Sequence, residues 1–200
     1  MKTGRILIAC ERSGRVRDAF LRRGMDAISC DLEETDVAGP HIVGDALTVA
    51  RSGDWLAVIG FPPCTHLCSS GARWWSGRQR EQAEAIEFVL ALSETASCTA
   101  IENPIGRLST VWRKPDQILQ PWQFGHGETK ATCLWLRNLP VLEPTEIVDG
   151  REPAIWHMGP GPDRSRRRSL TYAGVAEAMA EQWTPWLRGE REKTQYALFT

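Results

Sequence analysis

Trp55-Leu56-Ala57-Val58-Ile59-Gly60-Phe61-Pro62-Pro63-Cys64 is a short apolar run closed by a glycine and two prolines, which then delivers a cysteine. A run of this length and composition suits a buried strand. Neither proline can donate to a ladder, and each pushes the residue before it toward extended geometry. Cys64 is therefore expected on a stiff loop at the carboxyl edge of a strand, where ligands of open α/β sheets bind. A cysteine beside a turn is by default a small buried hydrophobe, so its chemistry has to be read from its neighbours.

Upstream, Ile6-Leu7-Ile8-Ala9 reads as a first buried strand and Cys10-Glu11-Arg12-Ser13-Gly14 as the turn after it. Val16, Ala19 and Phe20 give an apolar face to a helix over residues 16–23, with Gly24 as its stop. Ala27-Ile28-Ser29-Cys30 is a second strand closing on Asp31, and strand, glycine turn, helix, strand and acid make half of a nucleotide-binding α/β unit. At the end of that second strand a carboxylate can accept both ribose hydroxyls of an adenosine, although a surface aspartate opening a loop fits the same position. His41-Ile42-Val43-Gly44-Asp45 reads as a short third strand, with Asp45 placed to accept from the exocyclic amine of adenine. The first turn has one clear glycine where a dinucleotide fingerprint needs three, and it lacks the Gly-Lys-Ser/Thr of a phosphate loop. A cofactor with an adenosine but no phosphates needs neither, and Glu11, which would repel a pyrophosphate, suits a cationic amino-acid tail.

Downstream, Thr65 to Trp75 is a polar and aromatic stretch suited to a substrate lid. Cys64, His66 and Cys68 alternate, but a structural zinc site wants four ligands and no fourth is evident, so a polar pocket wall is the better reading. Residues 78–95 carry the best helical pattern, with Ala83, Ile86, Val89, Leu90 and Leu92 as its core stripe. Residues 98–101 form a fifth strand followed by Glu102-Asn103-Pro104. There Glu102 can act as an acid if burial raises its pKa, and Asn103 can tie the backbone of the loop. From 106 to 160 prolines interrupt the pattern; 131–136 is a solid strand and 155–157 a second, in a loose substrate-facing lobe. Asp163-Arg164-Ser165-Arg166-Arg167-Arg168-Ser169 is either a solvated basic turn or a clamp for phosphate or a base carbonyl. Ser169 and Thr171 are placed to cap a helix over 172–183, Pro185 and Gly189 end the order, and 190–200 is a peripheral tail.

Two hundred residues, 42% of them hydrophobic, fit one domain over 1–189. A formal charge of −1 lacks the global basicity of a nucleic-acid packaging protein, though not a local basic stripe. Six cysteines without a paired framework point to reduced thiols and a cytoplasmic setting. The amino-terminal apolar run is too short to span a membrane and carries no convincing signal peptide.

A cysteine and a glutamate at neighbouring strand ends, beside a nucleoside-shaped site, suggest covalent activation of an aromatic carbon. Thiolate addition at C6 of a pyrimidine, with an acid at N3, gives C5 the enamine character it needs to attack a sulfonium methyl. On DNA the base must leave the stack. Here the chain resembles the DNA cytosine-5 methyltransferases, especially the compact members carried by bacteriophages and prophages. The resemblance rests on Phe61-Pro62-Pro63-Cys64 at the nucleophile loop and on Glu102-Asn103-Pro104 where that family has Glu-Asn-Val. It extends to Ser165-Arg166-Arg167-Arg168 against Gln-x-Arg-x-Arg, with Arg164 displacing the glutamine, to Ala9-Cys10-Glu11-Arg12-Ser13-Gly14 at the first motif, and to Gly174-Val175-Ala176 at the last. It implies a Rossmann-like α/β methyltransferase fold, mostly parallel and flanked by helices, in the cytoplasm of a bacterial host if phage-encoded. S-adenosylmethionine would be held by Cys10, Glu11, Gly14, Asp31 on the ribose, Asp45 on the adenine, Phe61 and Pro62. Cys64 would attack C6, Glu102 would meet N3, and Arg166 or Arg168 would face the cytosine or its adduct. DNA is the implied partner, and because no long recognition insertion is present, a protein partner is a possible source of sequence specificity. Three alternatives stay open: methylation of free pyrimidine nucleotides, methylation of another nucleic-acid base including RNA, and a catalytically silent binding protein.

Overall fold

The computed structural model describes residues 4–159, 161 and 164–190. Its first half runs β1 (Arg5–Ala9), α1 (Arg15–Arg22), β2 (Ala27–Asp31), β3 (His41–Val43), α2 (Ala46–Ser52), β4 (Trp55–Gly60), a 3₁₀ helix (Ser69–Trp74) and α3 (Gln79–Ser93). The second half runs β5 (Thr99–Pro104), α4 (Leu108–Val111), β6 (Gln117–Leu119), a second 3₁₀ helix (Pro121–Gln123), β7 (Thr132–Arg137), α5 (Ala154–His157), α6 (Arg164–Ser169) and α7 (Ala173–Leu187). The strands make one seven-stranded sheet in the order β3-β2-β1-β4-β5-β7-β6. β1 is parallel to β2 and to β4, and β4 is parallel to β5, whereas β7 is antiparallel to both β5 and β6. The chain leaves β1 toward one edge and restarts at β4 toward the other, so the carboxyl ends of these two strands flank the switch-point crevice where such sheets bind ligands.

Both faces of the sheet are covered, and its central strands therefore read as continuous apolar runs rather than alternating ones. Ile6, Ile8, Ala57 and Ile59 pack with Phe20 of α1 and with Met179 and Trp183 of α7. Leu7, Ala9, Val58 and Ile101 point the other way, onto Ala50 of α2 and onto Val89 and Leu92 of α3. This is the two-residue period of a strand serving two layers. Each large side chain so buried contributes roughly 1.5–3 kcal/mol before the entropy of ordering it.

Several expectations are corrected. Residues 46–52, left without structure by the apolar pattern, are α2, because Asp45 caps it by accepting from the Thr48 backbone N–H at 2.7 Å. The segment 106–160 is no lobe of its own strands: β6 and β7 complete the main sheet, and 154–157 is a helical turn rather than a strand. Ala83 on α3 is exposed, while Val89 and Leu92 are buried as expected. The basic segment is the short helix α6 rather than a turn. Neither Ser169 nor Thr171 caps α7, whose N-cap is Tyr172. α7 also runs through Pro185 to Leu187. A proline in the last turn forfeits little of the ladder, and the buried Trp183, donating from Nε1 to the Pro140 carbonyl at 2.9 Å, and the buried Leu187 hold that turn on the core. Gly189, at φ +70°, then ends the helix as expected. Residues 191–200 of the expected tail, and Asp163 of the basic segment, lie outside the described residues. Among the described residues no helix is long and apolar enough to cross a membrane.

Candidate active site

At the end of β4 the chain keeps its pairing for one more residue, with Phe61 N–H donating to the Ala9 carbonyl at 2.9 Å. Asn103 Nδ2 then donates to the Pro62 carbonyl at 2.9 Å, in a buried bond across two strand ends. Asn103, which lies within β5 and not in a loop after it, therefore ties the nucleophile loop from the neighbouring strand. Beyond the prolines the chain turns tightly, with the N–H groups of Leu67 and Cys68 both donating to the Cys64 carbonyl at 3.0 and 2.9 Å. Cys64, His66 and Cys68 thus lie on a turn and not on an alternating strand. Among the described residues, no group of three His, Cys, Asp or Glu side chains is placed to hold a metal ion.

The floor of this turn rests on Gly106. Arg107 N–H donates to the Leu67 carbonyl at 2.7 Å and Ser69 N–H to the Ile105 carbonyl at 3.0 Å. A Cβ on Gly106 would stand 1.9 Å from the Leu67 carbonyl oxygen. Gly106→Ala must push the nucleophile turn off β5, with an expected destabilisation of about 1–3 kcal/mol. The urea midpoint of unfolding measures it, and an unchanged midpoint would show that the turn is not seated here.

Glu102 lies within β5, not in a loop after it, and is paired with Leu134 of β7. Burial pushes its carboxyl up, against the Lys130 charge and a hydrogen bond from Thr132, which pull it down. The Cys64 thiol is likewise pushed up, by burial first and then by Cys68 and Glu102, with Lys130 opposing. The cation that acts on both groups is therefore Lys130. Its ammonium also donates to the Arg168 carbonyl at 2.8 Å, anchoring the end of α6. Lys130 escaped the sequence reading because only the antiparallel pairing of β7 with β5 carries it to Glu102. Its sole sequence signal was a lysine immediately before a solid strand.

On the other side of the switch point, Cys10 adopts φ +58°, a left-handed conformation that is costly for a residue with a side chain and common at functional sites. Burial first, then Asp31, Cys30 and Asp45, push its thiol up to about 12, so it stays neutral. Glu11 is 5% exposed; its Oε1 accepts from Ser13 Oγ at 2.7 Å and from Val16 N–H at 3.1 Å. Its Oε2 is buried without a hydrogen-bond partner among the described residues. Gly14 opens α1 at φ +72°, and a Cβ there would stand 2.5 Å from Nη2 of Arg17. Asp31 ends β2 half-buried, its carboxyl raised by burial against the backbone of Leu32 and the charge of Arg12.

One cleft of about 1200 Å³ joins the two sides. Cys10, Glu11, Asp31, Phe61, Pro62, Cys64, Glu102, Arg166 and Arg168 all line it, and Lys130 and Arg164 do so as well. Gly14 stands outside the lining, and two other expected residues carry other bonds. Asp45 stands outside the lining, and its Oδ1 accepts from both the backbone and the hydroxyl of Thr48. Asp-x-x-Thr before an apolar run was the signal for that cap. Arg166 pairs with Asp36 at 2.6 Å.

The sheet order, with an antiparallel β7 set beside β5 and helices on both faces, is a Rossmann-like methyltransferase fold. No protein-family model and no curated protein sequence matches the chain. Among solved structures it is similar to the Entamoeba histolytica methyltransferase EhMeth, at 14% identity and a TM-score of 0.50, over 74% of this chain and 58% of that one. Dnmt2 of Spodoptera frugiperda and the Dnmt2 methyltransferase of S. pombe also match, each at 14% identity and a TM-score of 0.43, over 75% and 76% of this chain. The chain spans 53–58% of the length of these three structures.

Proposed function

We propose that this chain transfers a methyl group from S-adenosylmethionine to C5 of cytosine in DNA, through a bond between Cys64 Sγ and C6. The observation that carries the reading is the one cleft in which Glu11, whose buried Oε2 has no partner among the described residues, and Asp31 open onto the same space as Cys64 and Glu102. The methyltransferase fold supports it.

The residues present suit the cofactor. Glu11 Oε2, buried and unpartnered, calls for a cationic donor such as the ammonium of an amino-acid tail. Asp31 at the strand end offers acceptors to a ribose, while Asp45 gives Oδ1 to its cap, which leaves Oδ2 as the oxygen for the adenine amine. When bound there, the cofactor supplies an electrophilic sulfonium methyl.

The remaining chemistry belongs to the chain. The raised pKa of Glu102 keeps a proton available for N3 of the base, and withdrawing electrons there makes C6 electrophilic. Cys64, resting as a thiol, gives its proton to water in the open cleft as Sγ adds to C6, and Lys130 favours the thiolate that attacks. C5 then carries the electron pair that takes up the methyl. Loss of the C5 proton to water, return of the N3 proton to Glu102 and cleavage of the Sγ–C6 bond restore the aromatic ring, Glu102 and the Cys64 thiolate. Arg164 and Arg168 on the cleft wall offer contacts to the phosphates around an extruded nucleotide.

Purified protein incubated with methyl-labelled cofactor and, separately, duplex DNA, single-stranded DNA, RNA or dCMP tests the reading by identification of the labelled base. Label at C5 of DNA cytosine is expected. Label confined to RNA or to dCMP would move the substrate, and label at another atom would remove the mechanism.

A further inference from the structure

The mechanism leaves Arg166 without a role, and its partner explains where it is. Asp36 Oδ1 receives Nη2 of Arg166 at 2.6 Å and Nε of Arg12 at 3.0 Å. Asp36 belongs to the connection between β2 and β3, just beyond Asp31, whereas Arg166 sits on α6. Both residues line the cleft that holds Glu11 and Asp31, so their bond joins two walls contributed by distant parts of the chain.

The two ends of the bond are held differently. The Asp36 end is anchored: its N–H donates to the Arg12 carbonyl at 2.8 Å, and Thr35 Oγ1 donates to the same oxygen at 2.9 Å. Arg17, fully buried, reaches Thr35 Oγ1 and the carbonyls of Val37 and Ala38 at 3.2–3.4 Å, gripping the chain on both sides of Asp36. Burial works to raise the Asp36 carboxyl, but the hydrogen bonds from Arg166 and Arg12 outweigh it and hold it ionised below the usual range. The Arg166 end is lighter. α6 has six residues, and its bonds to the rest of the chain include Arg164 Nε to the Met158 carbonyl at 3.0 Å and Lys130 to the Arg168 carbonyl. The Arg166 side chain is half exposed.

We propose that Asp36 and Arg166 form a strap across the cofactor side of the cleft, and that the α6 end of this strap must let go for the cofactor to exchange. The inference rests on the cofactor reading given above. A fixed carboxylate on one wall and an arginine on a short, lightly tethered helix on the other make a bond that closes without remodelling the core. Because its arginine is half exposed to water, dissolved salt weakens the bond, and cofactor exchange inherits that dependence.

Release of S-adenosylhomocysteine from the full chain, followed by stopped-flow tryptophan fluorescence, tests this in wild type, Asp36→Asn, Arg166→Gln and the double variant. Release is expected to be about tenfold faster in either single variant and no faster again in the double, since each breaks the Asp36–Arg166 bond and the Arg12 bond to Asp36 lies within one wall. Wild-type release should quicken with added salt, and release from the variants should not. Amide hydrogen exchange over residues 164–171 of the ligand-free protein should rise in Asp36→Asn, which leaves the Arg17 contacts in place. Unchanged release with binding intact, additive single effects, or unchanged exchange over 164–171 would each overturn the strap alone. Failure of wild type to bind the thioether would overturn the cofactor reading itself.

Discussion

Cys64→Ser is expected to lower methyl transfer at least about 10³-fold while leaving the fold and cofactor binding intact. The exchange replaces sulfur by oxygen at nearly constant shape, on a loop held by Pro62, Pro63 and the Asn103 bond, none of which involves the thiol. What is lost is nucleophilicity. Even with its pKa pushed up by burial, a thiol ionises far more readily than a serine hydroxyl, which supplies essentially no alkoxide, and Lys130 alone is no base to generate it. A single-turnover assay with labelled cofactor measures the effect. Oligonucleotides carrying 5-fluorocytosine should trap a covalent adduct with wild type and none with the variant, because fluorine at C5 prevents the elimination that frees Cys64. Methylation that persists in Cys64→Ser within tenfold of wild type would sink the covalent mechanism.

Glu102→Gln has two expected consequences of opposite sign. Activity should fall about 10²–10³-fold, since an amide cannot pass a proton to N3 and polarises the ring only weakly. Stability should rise on the alkaline side. The carboxyl pKa is raised in the folded protein, so its contribution to stability is fully present below the ordinary carboxylate range and is lost as pH climbs through the raised folded value. Glutamine carries no charge at any pH. Its melting temperature should therefore exceed that of wild type at pH 8 and converge with it at pH 4, as measured by calorimetry. A gain at pH 4 that vanished at pH 8 would mean that the site holds a carboxylate, and the assignment of Glu102 as a proton source would fall.

The same contrast runs through what the chain discloses and what it withholds. Strands β1, β2 and β4 were legible because a strand buried on both faces is a local run of apolar residues. The mounting of Cys64 was legible because proline sterics act within two or three residues. Asp31 was legible as the acid at the end of β2. Asp45 was legible as an acid at a strand end but not as the cap of α2, because the two look alike until the helix is seen. Lys130 and Asp36 were not legible. Each matters through a partner far away in the chain, and the run of arginines drew attention to charge without showing which arginine faces which wall.

By itself the sequence determined the sheet's central strands, the stiff turn that presents Cys64, and the acids waiting at strand ends. These depend on backbone sterics and hydrophobic periodicity over a few residues. Only the tertiary structure decided that β7 turns antiparallel beside β5 and sets Lys130 where its charge acts on Glu102 and Cys64, and that Arg166 pairs with Asp36. Long-range pairing selects those partners, because a charge finds its counter-charge through the folded geometry and not through its place along the chain.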